Sequence, residues 1–231
     1  MKYSHLFFDL DHTLWDFEAN SRLTLQELFL QLDLPAKGIK DFDSFHQKYL
    51  YHNDRLWERY RKGFVKQDEL RWKRMWLTLL DFKIGDEKLA REMARLFLAG
   101  LPTRNLLFPG TLELLDYLRS KNYQLHLITN GFEDVQHSKL KYSGLSPYFG
   151  EVITSEGSNS LKPNKEIFDF AFRKTGAVPE KSIMIGDSIE ADMEGAKNAG
   201  IDHIFVNHMA VKTDFRATHT VYSLPELHTI F

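Results

Sequence analysis

Downstream of Pro102, short apolar runs alternate with amphipathic segments, and this alternation restricts the fold more than any other feature of the chain. Gly110 to Lys121 reads as an amphipathic helix and Gln124 to Thr129 as a strand. Asp134 to Tyr142 follows as helix, Glu151 to Thr154 as strand, and Asn164 to Thr175 as helix with Asn164 placed to cap it. Ser182 to Gly186 is a strand, Glu190 to Ala199 a helix stopped by Gly200, and His203 to Asn207 another strand. Such alternation predicts an α/β fold built on a doubly wound parallel sheet. A further buried strand, His5 to Asp9, stands alone at the start of the chain.

Between that strand and the alternating region the character is different. Leu25, Leu28, Phe29 and Leu32 form one helical stripe, Trp72, Trp76, Leu79 and Leu80 a second, and Leu89, Met93, Leu96 and Phe97 a third. Asp41 to Lys62, aromatic-rich and without proline, predicts a fourth helix. The expected architecture is therefore a core domain of residues 1–16 and 102–231, interrupted after its first strand by a helical-bundle cap domain, 17–101.

Composition excludes several function classes. The net charge of −2 offers no broad basic field, so no nucleic-acid partner is expected. No apolar run approaches the roughly 20 residues of a membrane span, and the first residues do not read as a signal peptide. The absence of cysteine rules out disulfides, thiolate nucleophiles and thiolate metal sites, and fits a cytoplasmic location. Nothing in these patterns specifies an oligomeric state.

In open α/β sheets the reactive site lies outside the carboxyl ends of the strands. Asp9 closes the first strand, Thr129 ends the next, Asp187 follows Ser182 to Gly186 directly, and Lys162 lies in the loop after Val152 to Thr154. Four residues far apart in sequence are thus expected on one rim. Asp9 and Asp11 flank a single leucine, and two carboxylates so close need a cation or a shared proton. With Asp187 as a third oxygen ligand, the set suits Mg²⁺, which prefers octahedral oxygen coordination.

Asp9-Leu10-Asp11-His12-Thr13, Thr129-Asn130-Gly131, Leu161-Lys162-Pro163 and Gly186-Asp187-Ser188 with Asp192 together resemble the four ordered motifs of the haloacid dehalogenase-like hydrolase superfamily. The resemblance covers the whole chain and implies a Rossmann-like core carrying a helical cap. The stretches ITNGF, GLSPYF and KPNKEIFDFA resemble the pyrimidine nucleoside 5′-monophosphate phosphatases within it. It implies that Asp9 is a nucleophile forming an aspartyl-phosphate and that Asp11 moves the proton. Thr129, Asn130 and Gly131 would bind phosphoryl oxygens, and Lys162 would neutralise them. Asp9, the Asp11 carbonyl and Asp187 would hold the metal. Asp192 would act from behind them on metal-bound water or Lys162, and Thr13 would order the loop. Glu156 is a candidate partner of Lys162, or else a solvated residue. Trp15 and Phe132 are candidates for lining a substrate cleft, whereas Trp57, Tyr60, Trp72 and Trp76 read as core.

The implied reaction is Mg²⁺-dependent hydrolysis of a small phosphomonoester, a pyrimidine nucleoside 5′-monophosphate by the narrower resemblance. Sugar-phosphate phosphatase and phosphomutase readings share these motifs. A 2-haloacid dehalogenase has the same nucleophile but neither the metal nor a second aspartate, so Asp11 argues against it.

Overall fold

The computed structural model describes residues 2–231. The chain forms two compact units: Glu18–Arg104 is one, and the segments before and after it make up the other. The larger unit holds strands β1 (His5–Phe8), β2 (Gln124–Thr129), β3 (Glu151–Thr154), β4 (Ser182–Gly186), β5 (Asp202–Val206) and β6 (His219–Val221). They form one parallel sheet in the order β3-β2-β1-β4-β5-β6.

The four residues of β1 and the five of β4 are all buried, as expected of central strands covered on both faces. Side chains alternate between the faces. On one of them Phe7, Ile128, Ile153 and Met184 pack with Ile167, Phe168, Ala171, Ala196 and Ala199 from helices further along the chain. The sheet winds outward in both directions from β1, through β2 to β3 and through β4 to β6. The carboxyl ends of β1 and β4 therefore flank the crevice where the strand order reverses.

The smaller unit contains most of α1 (Phe17–Gln31), then α2 (Phe42–Arg61), α3 (Gln67–Asp81) and α4 (Glu87–Gly100). Asp41 caps α2 by accepting from the Ser44 amide at 2.8 Å, and Asp86 caps α4 by accepting from the Leu89 amide at 3.0 Å. The buried face of α3 is rotated from the expected stripe. Leu70, Arg74, Met75, Thr78 and Leu79 are inside, Trp72 and Trp76 are half-buried, and Leu80 is exposed. Arg74 can occupy that face because it donates to Asn53 Oδ1 at 3.0 Å and lies 5.0 Å from the Phe97 ring centre. Trp57 and Tyr60 are likewise half-buried rather than core, and Trp72 lies against the Arg91 guanidinium at 4.0 Å.

In the sheet-bearing unit α5 (Thr111–Ser120) precedes β2, α6 (Glu133–Tyr142) follows it, α7 (Ser155–Ser158) and α8 (Lys165–Thr175) follow β3, and α9 (Gly195–Ala199) precedes β5. Two local differences from expectation bear on the site. The segment after β4 is not one helix: Ile189–Glu194 forms a wide π-type turn before α9. Met193 and Asp192 both donate backbone bonds to the Ser188 carbonyl, at 3.1 and 2.9 Å. Asn164 stands at the N-cap position of α8, but its side chain makes no capping bond.

Candidate active site

Asp9 leaves β1 with its backbone still in the sheet, its amide donating to the Ile185 carbonyl of β4 at 2.9 Å. The chain then reverses. Leu14 and Trp15 both donate to the Leu10 carbonyl, and His12 adopts a φ of 63° in the turn. This reversal separates the two carboxylates. Asp9 stays at the strand end, while Asp11 is carried toward α6.

Lys162 reaches Asp9 from the loop after α7. Its ammonium is buried and donates to Asp9 Oδ1 at 2.5 Å, Asp192 Oδ1 at 2.6 Å and the Ile128 carbonyl at 2.6 Å. Its backbone is pinned by Asn130, whose Oδ1 accepts from the Lys162 amide at 2.7 Å and whose Nδ2 donates to the Lys162 carbonyl at 2.9 Å. The Glu156 carboxylate accepts from the Glu133 amide at 2.8 Å, where it complements the N-terminus of α6.

Asp187 follows β4, and its Oδ1 accepts from the Thr13 hydroxyl at 2.8 Å. Asp192 is brought inward by the π-type turn, with Oδ2 accepting from the Ser188 amide at 3.0 Å. The strand must end in glycine for this: a Cβ on Gly186 would stand 2.3 Å from Asp192 Oδ2. Oxygens of Asp9, Asp187 and Asp192 lie within 4.8 Å of one another. Asp192, expected to act only from behind the metal ligands, thus presents an oxygen to the same volume. Asp11 directs its carboxylate elsewhere.

The electrostatics follow from crowding. Burial above all, with the charges of Asp192 and Asp187 added, pushes the Asp9 carboxyl well above the usual carboxylate range, against the pull of Lys162. Burial and the Asp192 charge push Asp187 up to about 7, although the Thr13 hydrogen bond opposes them. Burial also works against the Lys162 charge, but Asp192 and Asp9 outweigh it and hold this lysine above its ordinary value. Three converging carboxylates with one ammonium leave room for more positive charge. An all-oxygen donor set of this kind fits a hard divalent cation.

Thr129, at the end of β2, accepts two hydrogen bonds on Oγ1, from the Gly131 amide at 3.1 Å and from Gln136 Nε2 at 2.7 Å. Gly131, expected to help bind phosphate, directs its N–H to Thr129. The second Gln136 bond, from the same Nε2, goes to Asp11 Oδ2 at 3.0 Å, and Lys139 Nζ donates to Asp11 Oδ1 at 2.5 Å. Neither Gln136 nor Lys139 is among the residues picked out from sequence. On a helix as polar as α6 both look solvated, yet both are buried. Their i, i+3 spacing directly after the Thr129-Asn130-Gly131 motif is the signal that could have found them. Trp15 and Phe132 are both buried, and the Lys139 ammonium lies 4.4 Å from the centre of the Trp15 ring.

The end of β1 with Asp9, the lysine paired to it and the convergent acidic cluster mark the reversal of the parallel sheet as the candidate site. The sequence profile of the haloacid dehalogenase-like hydrolases matches residues 3–200, and the chain belongs to that family. It is 34% identical over 98% of its length to the pyrimidine 5′-nucleotidase PynA of Streptococcus pneumoniae, covering 94% of that protein. It is 33% identical over its whole length to the pyrimidine 5′-nucleotidase YjjG of Escherichia coli, covering 98% of it. The crystal structure of YfnB from Bacillus subtilis, a magnesium-bound form that reveals interdomain movement, superposes with a TM-score of 0.90 at 28% identity. That match covers 100% of this chain and 99% of the other.

Proposed function

We propose that the chain is a Mg²⁺-dependent phosphatase acting on small phosphomonoesters, with pyrimidine nucleoside 5′-monophosphates as its preferred class. The observation that carries this reading is the separation of Asp9 from Asp11. Asp9 faces Lys162 and the acidic cluster, whereas Asp11 faces Gln136 and Lys139. This division supports a reading in which one carboxylate attacks and the other moves a proton. Full-length similarity to two pyrimidine 5′-nucleotidases supports the substrate class.

In this reading Asp9 attacks phosphorus, the ester P–O bond breaks, and the leaving alkoxide takes a proton from Asp11. Water then attacks the aspartyl-phosphate and gives its proton to Asp11, which releases inorganic phosphate and free Asp9. Thr129, with its lone pairs engaged, has its hydroxyl proton left to donate to a phosphoryl oxygen. The Asn130 amide is assigned to the same phosphoryl group. The Asn130 side chain holds Lys162 in place beside Asp9. Asp9, Asp187 and Asp192, with the Asp11 carbonyl, would hold Mg²⁺, which when bound neutralises phosphoryl charge. The Glu18–Arg104 unit is assigned as the cap that selects the ester.

The test is a panel of phosphate esters assayed for phosphate release with Mg²⁺. Pyrimidine nucleoside 5′-monophosphates are expected to be hydrolysed best. Activity confined to hexose phosphates, or isomerisation without phosphate release, would refute the nucleotidase reading. Asp9→Asn is expected to abolish turnover, and a variant retaining metal-dependent hydrolysis would rule out the covalent route.

A further inference from the structure

We propose that Gln136 and Lys139 are positioning residues for the reaction, holding the Asp11 carboxylate by both oxygens and tying it to the Thr129 hydroxyl. This rests on the reading of Asp11 as the proton carrier.

The Asp11 side chain sits on a reversing turn and is 24% exposed. Lys139 restricts it. The Lys139 side chain is only 3% exposed, and its ammonium lies 2.5 Å from Asp11 Oδ1 and 4.4 Å from the Trp15 ring centre. A lysine normally extends its charge to water, and burying one is unfavourable unless an anion receives it. For packing alone, an apolar residue of the same volume would serve α6 at least as well. The lysine therefore makes sense through what it holds.

Gln136 adds the second constraint. Both of its Nε2 protons are committed, one to Asp11 Oδ2 at 3.0 Å and one to Thr129 Oγ1 at 2.7 Å. Its Oε1 is buried without a hydrogen-bond partner. The reverse amide orientation would place that oxygen against the Asp11 carboxylate, which accounts for the orientation seen. Because the Gly131 amide occupies the other lone pair of Thr129 Oγ1, the Thr129 proton is directed away from α6. A single amide thus orients both the proton carrier and a hydroxyl assigned to phosphate. The backbone makes room for it: a Cβ on Gly131 would fall 2.3 Å from Gln136 Cδ.

The experiment compares kcat/KM for uridine 5′-monophosphate and for p-nitrophenyl phosphate, whose leaving group departs without a proton. Lys139→Met and Gln136→Leu are expected to lower the value for the nucleotide by roughly 10²-fold and for the aryl ester far less. Lys139→Arg should recover most of the loss. In an Asp11→Asn background Lys139→Met should have no further effect, since it acts through Asp11, and Gln136→Leu only the smaller one that its hold on Thr129 leaves. Equal losses on the two esters, or a full additional loss in the Asp11→Asn background, would overturn the proposal. If Lys139→Met does not fold, Gln136→Leu decides by the same criteria. Wild-type activity in Asp11→Asn itself would instead remove the proton-carrier reading. A crippled Asp11→Asn beside unimpaired Lys139→Met and Gln136→Leu would remove only the positioning role.

Discussion

An ammonium group has three protons to donate, and at Lys162 the acceptors are Asp9, Asp192 and the Ile128 carbonyl. Removing the ammonium leaves two buried carboxylates without their cation. Lys162→Met is therefore expected to destabilise the fold by about 3–5 kcal/mol, measured by urea denaturation, and to abolish turnover. Adding Asp192→Asn should return part of that stability, because it removes one of the stranded charges. No recovery in the double variant would mean that packing of the lysine stem, rather than charge, sets the loss. Lys162 was legible from its place before Pro163 in the ordered motifs. Its contact with Asp192 depends on the π-type turn at Ile189–Glu194, which apolar spacing cannot distinguish from regular helix.

Among the elements, β1 and β2 place His5 and His126 side by side, with Nδ1 of one 3.2 Å from Nε2 of the other and the rings stacked at 5.4 Å. Burial first, then the proximity of His5, lowers the His126 pKa to about 4, and burial lowers that of His5. In the unfolded chain the histidine keeps its ordinary value of 6.5, so between about 6.5 and 4 that chain holds more protons than the folded one. Stability contributed by neutral His126 is thus complete above that window and is lost as pH falls through it. A loss of about 2 kcal/mol is expected between pH 7 and pH 5. Urea midpoints at the two pH values check this, and His126→Phe should flatten the difference. Three strands were readable from their short apolar stretches: β2, β3 and β4 match their expected limits. β6 was not, since its three residues include one buried side chain and no periodicity. The face of α3 was misread because Arg74, a charged residue, takes an inward position.

For the molecule as a whole, the proposed Mg²⁺ site would make stability depend on cation: binding at Asp9, Asp187 and Asp192 would favour the folded state by mass action, about 2.7 kcal/mol at a hundredfold excess over Kd. Thermal unfolding in saturating Mg²⁺ should lie roughly 5 °C above that in chelator. Asp187→Asn should shrink the interval, and an unchanged interval would place the cation elsewhere. Among the described residues no helix is long and apolar enough to cross a membrane.

The two places where the chain passes into and out of Glu18–Arg104 are joined just inside the larger unit. Trp15 bridges Leu107 in antiparallel fashion, Asp16 donates to the Leu106 carbonyl at 3.1 Å, and Phe108 donates to the Leu14 carbonyl at 2.9 Å. To the sheet, the whole helical excursion is one surface loop whose ends are already tied. Loop closure costs little more as a loop lengthens, so its length and content can change while β1 and its neighbours keep their register. The tie follows within a few residues of Asp9 and Asp11. In such a chain, the helical unit can be exchanged while the strand end that carries Asp9 and Asp11 stays in place.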